Sequence, residues 1–333
     1  MSGTHESALR AIGKNQGRGL LLLGKRGDQT MAYAISQSTA EEIKDSIEIP
    51  LIEILGDYLT PLKEVNNRLF ENFYFSASPI TNGMYTTLLN RLLADDCLKI
   101  KRMRYDDSPI HNPLSFGMIK WLLEVSPRLV KDEFGRKYDL PILVIPEYFD
   151  EERRYSKHDI IWDGRRFSYN GSPNSPCGII TQNGAMFFSK LLALDLPTAE
   201  EWDCCIFSLK LGLTNRRPDE MDLSFKEYLN QQKGIIKLYP IIGADKIFVY
   251  KNGKNDIREG QNFRVNEDLF EWTKTRKQFP QIEGLKARDL DTYVAKCLFE
   301  TEGRVEIREA IAHSMITTGL YGNNGFRCIH RVE

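Results

Sequence analysis

A chain of 333 residues with 41% hydrophobic residues, 27% charged residues and a formal net charge of −1 has the apolar content for a folded core. Its near-zero net charge argues against a whole-molecule field that gathers nucleic acid or an acidic ligand. The N-terminal MSGTHESALRAIGKNQGRG has no apolar stretch ahead of a small-residue cleavage site, and Gly19 to Gly24 is too short to cross a bilayer, so a cytoplasmic chain without membrane contact is expected. Cys97, Cys177, Cys204, Cys205, Cys297 and Cys328 form no C-x-x-C pair, which argues against a zinc ribbon or thioredoxin-type motif. Most of them are expected as small buried hydrophobes.

In chain order, residues 19 to 36 predict two short strands about Gly27-Asp28. Ser38-Thr39-Ala40-Glu41 fits a capping box and opens a helix. Ile43, Ile47, Leu51, Ile54, Leu55 and Leu59 continue at helical spacing, with Pro50 kinking or splitting the run. Leu62 to Phe70 predicts another short helix. Phe73 to Ile80 predicts a strand and turn, and Thr81-Asn82-Gly83 leads into an amphipathic helix from Met84 to Leu93. Residues 101 to 113 read as loop, Phe116 to Leu123 as a short apolar helix, and Lys131 to Lys137 as a turn. Leu140 to Ile145 reads as a buried strand, and residues 147 to 159 as a solvated charged stretch.

The stretch SYNGSPNSP at Ser168 to Pro176 is nearly all turn-formers. Cys177 to Ile180 predicts a short strand and Gln182 to Leu194 a helix. Thr198 with Glu201 three residues later forms a second capping box. The C-terminal third predicts short strands alternating with long irregular segments. Many short elements, abundant turns, two main capped helices and no βαβ rhythm predict an α+β fold rich in irregular loop, and exclude a doubly wound sheet.

Gly24-Lys25 is followed by Arg26, so no P-loop forms, and neither G-x-S-x-G nor G-x-G-x-x-G occurs. Basic clusters at Lys99 to Arg104, Arg153-Arg154 and Arg165-Arg166 are interleaved with Trp162, Phe167 and Tyr169. Asp106, Asp107, Glu151 and Glu152 lie alongside, so a mixed solvated face is expected and a nucleic-acid partner is not.

Four ordered segments carry a resemblance: Phe75-Ser76-Ala77-Ser78-Pro79-Ile80-Thr81-Asn82-Gly83-Met84-Tyr85; Pro176-Cys177-Gly178-Ile179-Ile180 through Leu196-Pro197-Thr198-Ala199-Glu200-Glu201-Trp202; Asp268-Leu269-Phe270-Glu271-Trp272-Thr273; and Gly325-Phe326-Arg327-Cys328. They are similar to the P-V-T-N-x-x-Y, L-P-T-E-A-E-W, G-N-V-W-E-W-T and G-F-R-C motifs of the sulfatase-modifying-factor family, which includes the formylglycine-generating enzyme. The resemblance implies a C-type-lectin-like domain over residues 72–333, with inserted material near 98–165 and 208–260, behind an N-terminal strand and helix extension at 1–71. In physical terms the motif residues read as scaffold. Thr81, Asn82 and Thr198 start helices, Pro197 ends an extended segment, and Trp202 and Trp272 supply apolar bodies. Glu271 reads as a buried carboxylate held by backbone amides or by an arginine, with Arg327 as the candidate partner.

The oxidases of this family hold copper on two cysteines in C-x4-C spacing ahead of G-F-R-C, where a soft thiolate pair suits Cu(I). The comparable stretch here, Gly303 to His313, reads GRVEIREAIAH and has no cysteine. Copper and the usual oxidase chemistry are therefore not expected. Glu267-Asp268 replaces the family's Gly-Asn, which leaves Asp268 as a weak candidate calcium ligand and no other cofactor. The iron site of the related sulfoxide synthases is not expected either, because no two of the five histidines share ligand spacing.

Other members of the fold bind rather than catalyse, displaying a ligand surface just before the terminal G-F-R, as in the variable proteins of diversity-generating retroelements. Here that segment is Ile311 to Asn324, with His313, Ser314, Thr317, Thr318, Tyr321, Asn323 and Asn324 as candidate ligand contacts. Small hydrogen-bonding residues around one Tyr suit an adaptable binding surface. The expectation is a non-oxidase member with a protein or small-ligand partner. The alternative is an enzyme of the same fold performing a metal-assisted oxidation or peptide modification.

Overall fold

The structure, a computed structural model, describes residues 18–26, 29–54, 73–102, 119–125, 130–132, 140–146, 160–203, 205–206, 246–251, 254–259, 269–277, 292–301, 304–313 and 324–331. Within these the chain is mixed α+β, with few helices and five small sheets. Among the described residues no helix is long and apolar enough to cross a membrane.

β1 (Arg18–Arg26) and β2 (Gln29–Ser36) pair antiparallel about residues 27–28, as the sequence predicts. α1 (Gln37–Ser46) begins one residue before Ser38, the expected cap. The Thr39 hydroxyl instead donates to the Asp95 carboxylate. Ile43 and Ile47 are buried, but the helical spacing beyond them misleads. After Ser46 the chain turns into β3 (Ile49–Ile54), in which Ile49, Leu51, Ile52 and Ile54 are all buried. Pro50 cannot continue a helix. The β-branched residues around it find strand partners on both sides.

β3 lies in a five-stranded sheet ordered β12-β11-β3-β4-β17, where β4 is Phe73–Ser76, β11 Lys246–Lys251, β12 Lys254–Glu259 and β17 Ile329–Arg331. β3 is antiparallel to both neighbours, with Phe248↔Leu51 on one side and Ile52↔Phe75 on the other. Residues 49–54, 246–251 and 254–259 are thus built into the sheet that holds β17.

α2 (Asn82–Ala94) is capped by Thr81, whose hydroxyl accepts from Met84 N at 3.3 Å. α3 (Gln182–Leu191) is capped by Thr181, which accepts from Gly184 N at 2.9 Å. α3 stops short of the expected Leu194 because Ala193 is left-handed, at φ 59°, and Leu194 N closes back on Ser189 O at 2.8 Å. Tyr85 of α2 stacks on Phe188 of α3 at 5.7 Å, and both rings meet Phe326 edge-on at 6.3 and 5.3 Å. The Tyr85 hydroxyl donates to Ile142 O at 2.9 Å. A Cβ at Gly184 would stand 2.0 Å from that same carbonyl, so α3 lies against the backbone of residue 142 where only glycine fits.

Between the helices, β5 (Leu98–Arg102), β6 (Ile119–Val125) and β8 (Leu140–Pro146) form a three-stranded sheet. β6 corrects the expected helix at Phe116 to Leu123, since pairing on both sides decides a short apolar run whose periodicity is ambiguous. β7 (Val130–Asp132) adds a third strand to β1 and β2, and β9 (Ile160–Trp162) pairs β10 (Phe167–Tyr169). Cys177 to Ile180 forms no strand. It holds only a bridge from Ile180 to Leu143, because Ile179 sits at φ 55°. The predicted helix at Leu62 to Phe70 and the charged stretch at 147–159 lie outside the described residues.

The last sheet is ordered β15-β14-β13-β16, with β13 at Phe270–Arg276, β14 at Thr292–Thr301, β15 at Arg304–His313 and β16 at Asn324–Phe326. β14 and β15 are ten residues each, longer than the short strands expected there. β16 runs parallel to β13.

Candidate functional site

Residues 196–203 tie this last sheet to the rest of the fold. The capping box is present: Glu201 N donates to Thr198 Oγ1 at 3.1 Å, and Thr198 N donates to Glu201 Oε2 at 2.7 Å. Pro197 O accepts from Lys274 N at 2.9 Å, and Ala199 N donates to Thr275 Oγ1 at 2.8 Å, which fixes the helical turn against β13. The next turn brings Trp202 over Glu271, and its indole N–H donates to Glu271 Oε2 at 2.7 Å.

Glu271 is held as the sequence suggests, by an arginine. Arg327 Nε lies 3.0 and 2.8 Å from the two carboxylate oxygens, and Arg327 Nη1 donates to Ser76 O at 3.0 Å. Its guanidinium also lies 5.7 Å from the centre of the Phe75 ring. The Arg327 side chain is fully buried and that of Glu271 is 2% exposed. Burial pushes the arginine's pKa below its ordinary value, and the carboxylate opposes that shift. Trp272, on the opposite face of β13, donates its indole N–H to Ile180 O at 2.7 Å.

A second polar cluster lies on the same face of the sheet as Glu271, where Lys296 stands directly opposite it, and the sequence reading missed it. Lys296 of β14 is buried and donates to Asp203 Oδ2 at 3.0 Å and approaches Glu309 Oε2 at 2.9 Å. Lys277 reaches Glu309 Oε1 at 2.5 Å. Burial disfavours the charged lysine, but Asp203 and Glu309 outweigh it and raise its pKa. A third cluster gathers Lys190, Lys274 and Arg331 around Asp195 at 2.8 to 2.9 Å, and Arg331 also donates to Glu201 Oε1 at 2.9 Å. No linear signal points to either cluster, because Lys296 and Asp203 are 93 positions apart and Arg331 and Asp195 are 136 apart.

These elements mount the C-terminal segment at both ends. At one end His313 closes β15 opposite Thr292, whose hydroxyl donates to Lys277 O at 2.5 Å. At the other end Asn324 opens β16 opposite Phe270, and its carbonyl accepts from Ile180 N at 3.0 Å. A Cβ at Gly325 would stand 2.7 Å from Cys177 O and 2.9 Å from Leu269 Cδ2, so glycine is required there. Phe326 O accepts from Ile80 N at 2.9 Å.

Asn324, read from the sequence as a candidate ligand contact, is fully buried and is held by pairing with Phe270 at the start of β16. Ser314, Thr317, Thr318, Tyr321, Asn323 and Asp268 lie outside the described residues, as does the His313 side chain. Thr81 caps α2 and bridges Pro176, while Asn82 is fully buried and neither of its side-chain polar atoms has a hydrogen-bond partner among the described residues.

Among the described residues no group of three or more His, Cys, Asp and Glu side chains is placed to hold a metal ion. Burial pushes the Cys177 thiol well up and Cys328 to about 12, which keeps both protonated. No protein-family model, curated protein or solved structure matches this chain.

Proposed function

We propose that the chain is a ligand- or protein-binding member of the C-type-lectin-like, formylglycine-generating-enzyme type of fold, without copper-dependent oxidase chemistry. Its recognition surface lies near residues 311–324. The observation that carries this reading is the mounting of that segment. Each end enters a strand pair, and the far end is locked by Asn324, Gly325 and Phe326, all buried. A segment held at both ends by a rigid scaffold is an arrangement used for recognition. The buried Arg327–Glu271–Trp202 unit lies directly behind that anchor. The stretch that carries the copper cysteines in the oxidases falls here on β15, which has no cysteine.

The test compares the full chain with its Tyr321→Ala/Asn323→Ala variant as affinity baits under matched conditions. A partner retained by the parent and lost from the variant, at unchanged melting temperature, supports the reading. The same partner held equally by both contradicts it. Copper-dependent oxygen uptake with a cysteine peptide would favour the enzyme.

A further inference from the structure

Among the described residues the last sheet ends at β15. Both faces of β14 are covered: Val294, Ala295, Lys296, Cys297 and Leu298 are all buried. One strand further out, Ala310 and Ile311 are only half-buried and Glu309 is exposed. No described strand pairs with the outer side of β15, although it is ten residues long. A long open edge is a template for another strand.

We propose that β15 pairs antiparallel with β15 of a second copy of this chain, about a twofold axis normal to the sheet. The sequence of the strand, RVEIREAIAH, selects the register. Such an axis keeps each side chain on its own face, so residues of equal parity stand opposite one another. A register centred on Arg308 sets that arginine against itself, and one centred on Glu309 sets two carboxylates together. A register centred on Glu306 sets Arg304 against Arg308 of the partner subunit. The register centred on Ile307 sets Glu306 against Arg308 of the partner subunit, twice by symmetry, with Ile307 self-paired between them. It also sets Glu309 opposite Val305 of the partner subunit, so Glu309 keeps its bonds to Lys277 and Lys296. Opposite charges directly across a ladder stabilise and like charges destabilise. A register centred on Val305 also sets Arg304 against Glu306 of the partner subunit but overlaps only residues 304–306 of the strand, whereas the Ile307 register overlaps residues 304–310, so the Ile307 register wins. The two His313 ends then stand about 40 Å apart, at about 3.4 Å per residue. Each dimer presents two copies of the segment that follows.

The experiment is sedimentation equilibrium on the full chain with a charge-reversal cycle. The parent is expected to be a concentration-dependent dimer. Glu306→Arg and Arg308→Glu alone each raise the dimer Kd by about tenfold or more, and the double reversal restores it to within about threefold. Melting temperature and near-ultraviolet dichroism show that each variant is folded. If one single reversal fails to fold, the other and the double still decide the register. A parent that is monomeric up to its solubility limit overturns the proposal. So does a dimer whose Kd is unmoved by the single reversals, or one not rescued by the double.

Discussion

Replacing Glu271 by alanine removes the carboxylate that both neutralises the fully buried Arg327 and accepts the Trp202 indole N–H. A buried charge stripped of its partner costs about 3–5 kcal/mol. The orphaned indole adds about 1 kcal/mol, so Glu271→Ala should destabilise by about 4–6 kcal/mol. Arg327→Met leaves the carboxylate with the indole as its remaining donor at this site, and should cost about 3–5 kcal/mol. The double variant Glu271→Leu/Arg327→Met buries no charge there and should cost far less than the sum, a coupling of about 3 kcal/mol or more. Urea unfolding followed by tryptophan fluorescence measures all three, since Trp202 and Trp272 are both buried at this site. Additive single variants, or a Glu271→Ala cost below about 1 kcal/mol, would refute the reasoning.

Three further outcomes are expected. Burial works against the charged form of Asp195, but Lys274 and Lys190 outweigh it and hold the carboxyl at about 2, below its ordinary 3.8. This contributes about 2 kcal/mol that is complete above about pH 4 and lost as pH falls toward 2. Asp195→Asn should therefore flatten the acid limb of the stability curve, and an unchanged limb would count against the cluster. Gly184→Ala drives a Cβ into Ile142 O and the Tyr85 hydroxyl, at a cost of about 3 kcal/mol in chemical denaturation. A near-neutral effect would mean that α3 does not pack against β8 as described. A fragment beginning at Phe73 loses α1 and the strand between β11 and β4, and should be recovered as insoluble material. A soluble fragment with a cooperative melt would show residues 1–72 to be separable.

The features legible in the sequence are those fixed by neighbours in the chain. Thr81 and Thr198 sit ahead of helical runs, and a hydroxyl three residues from an amide needs no distant partner to form its bond. The Glu271–Arg327 pair was legible for another reason: few groups can neutralise a carboxylate set beside a core tryptophan. Strand identity was not legible where it depends on remote partners. Ile49 to Ile54 and Ile119 to Val125 each carry an apolar run that suits helix or strand, and their neighbours in the sheets decide between them. Lys296 was invisible for the same reason, since an isolated lysine reads as exposed until Asp203 and Glu309 are brought to it across the fold. Asn324 shows the converse error, in which a residue type common on binding surfaces is buried by strand pairing.

The central claim is that the fold is a scaffold and the segment before Gly325 is the reader. Replacing residues 314–323 with an unrelated sequence of equal length and measuring binding of the partner captured by the parent chain tests it most directly. The account predicts an unchanged melting temperature and complete loss of binding. Retained binding at full affinity would contradict it.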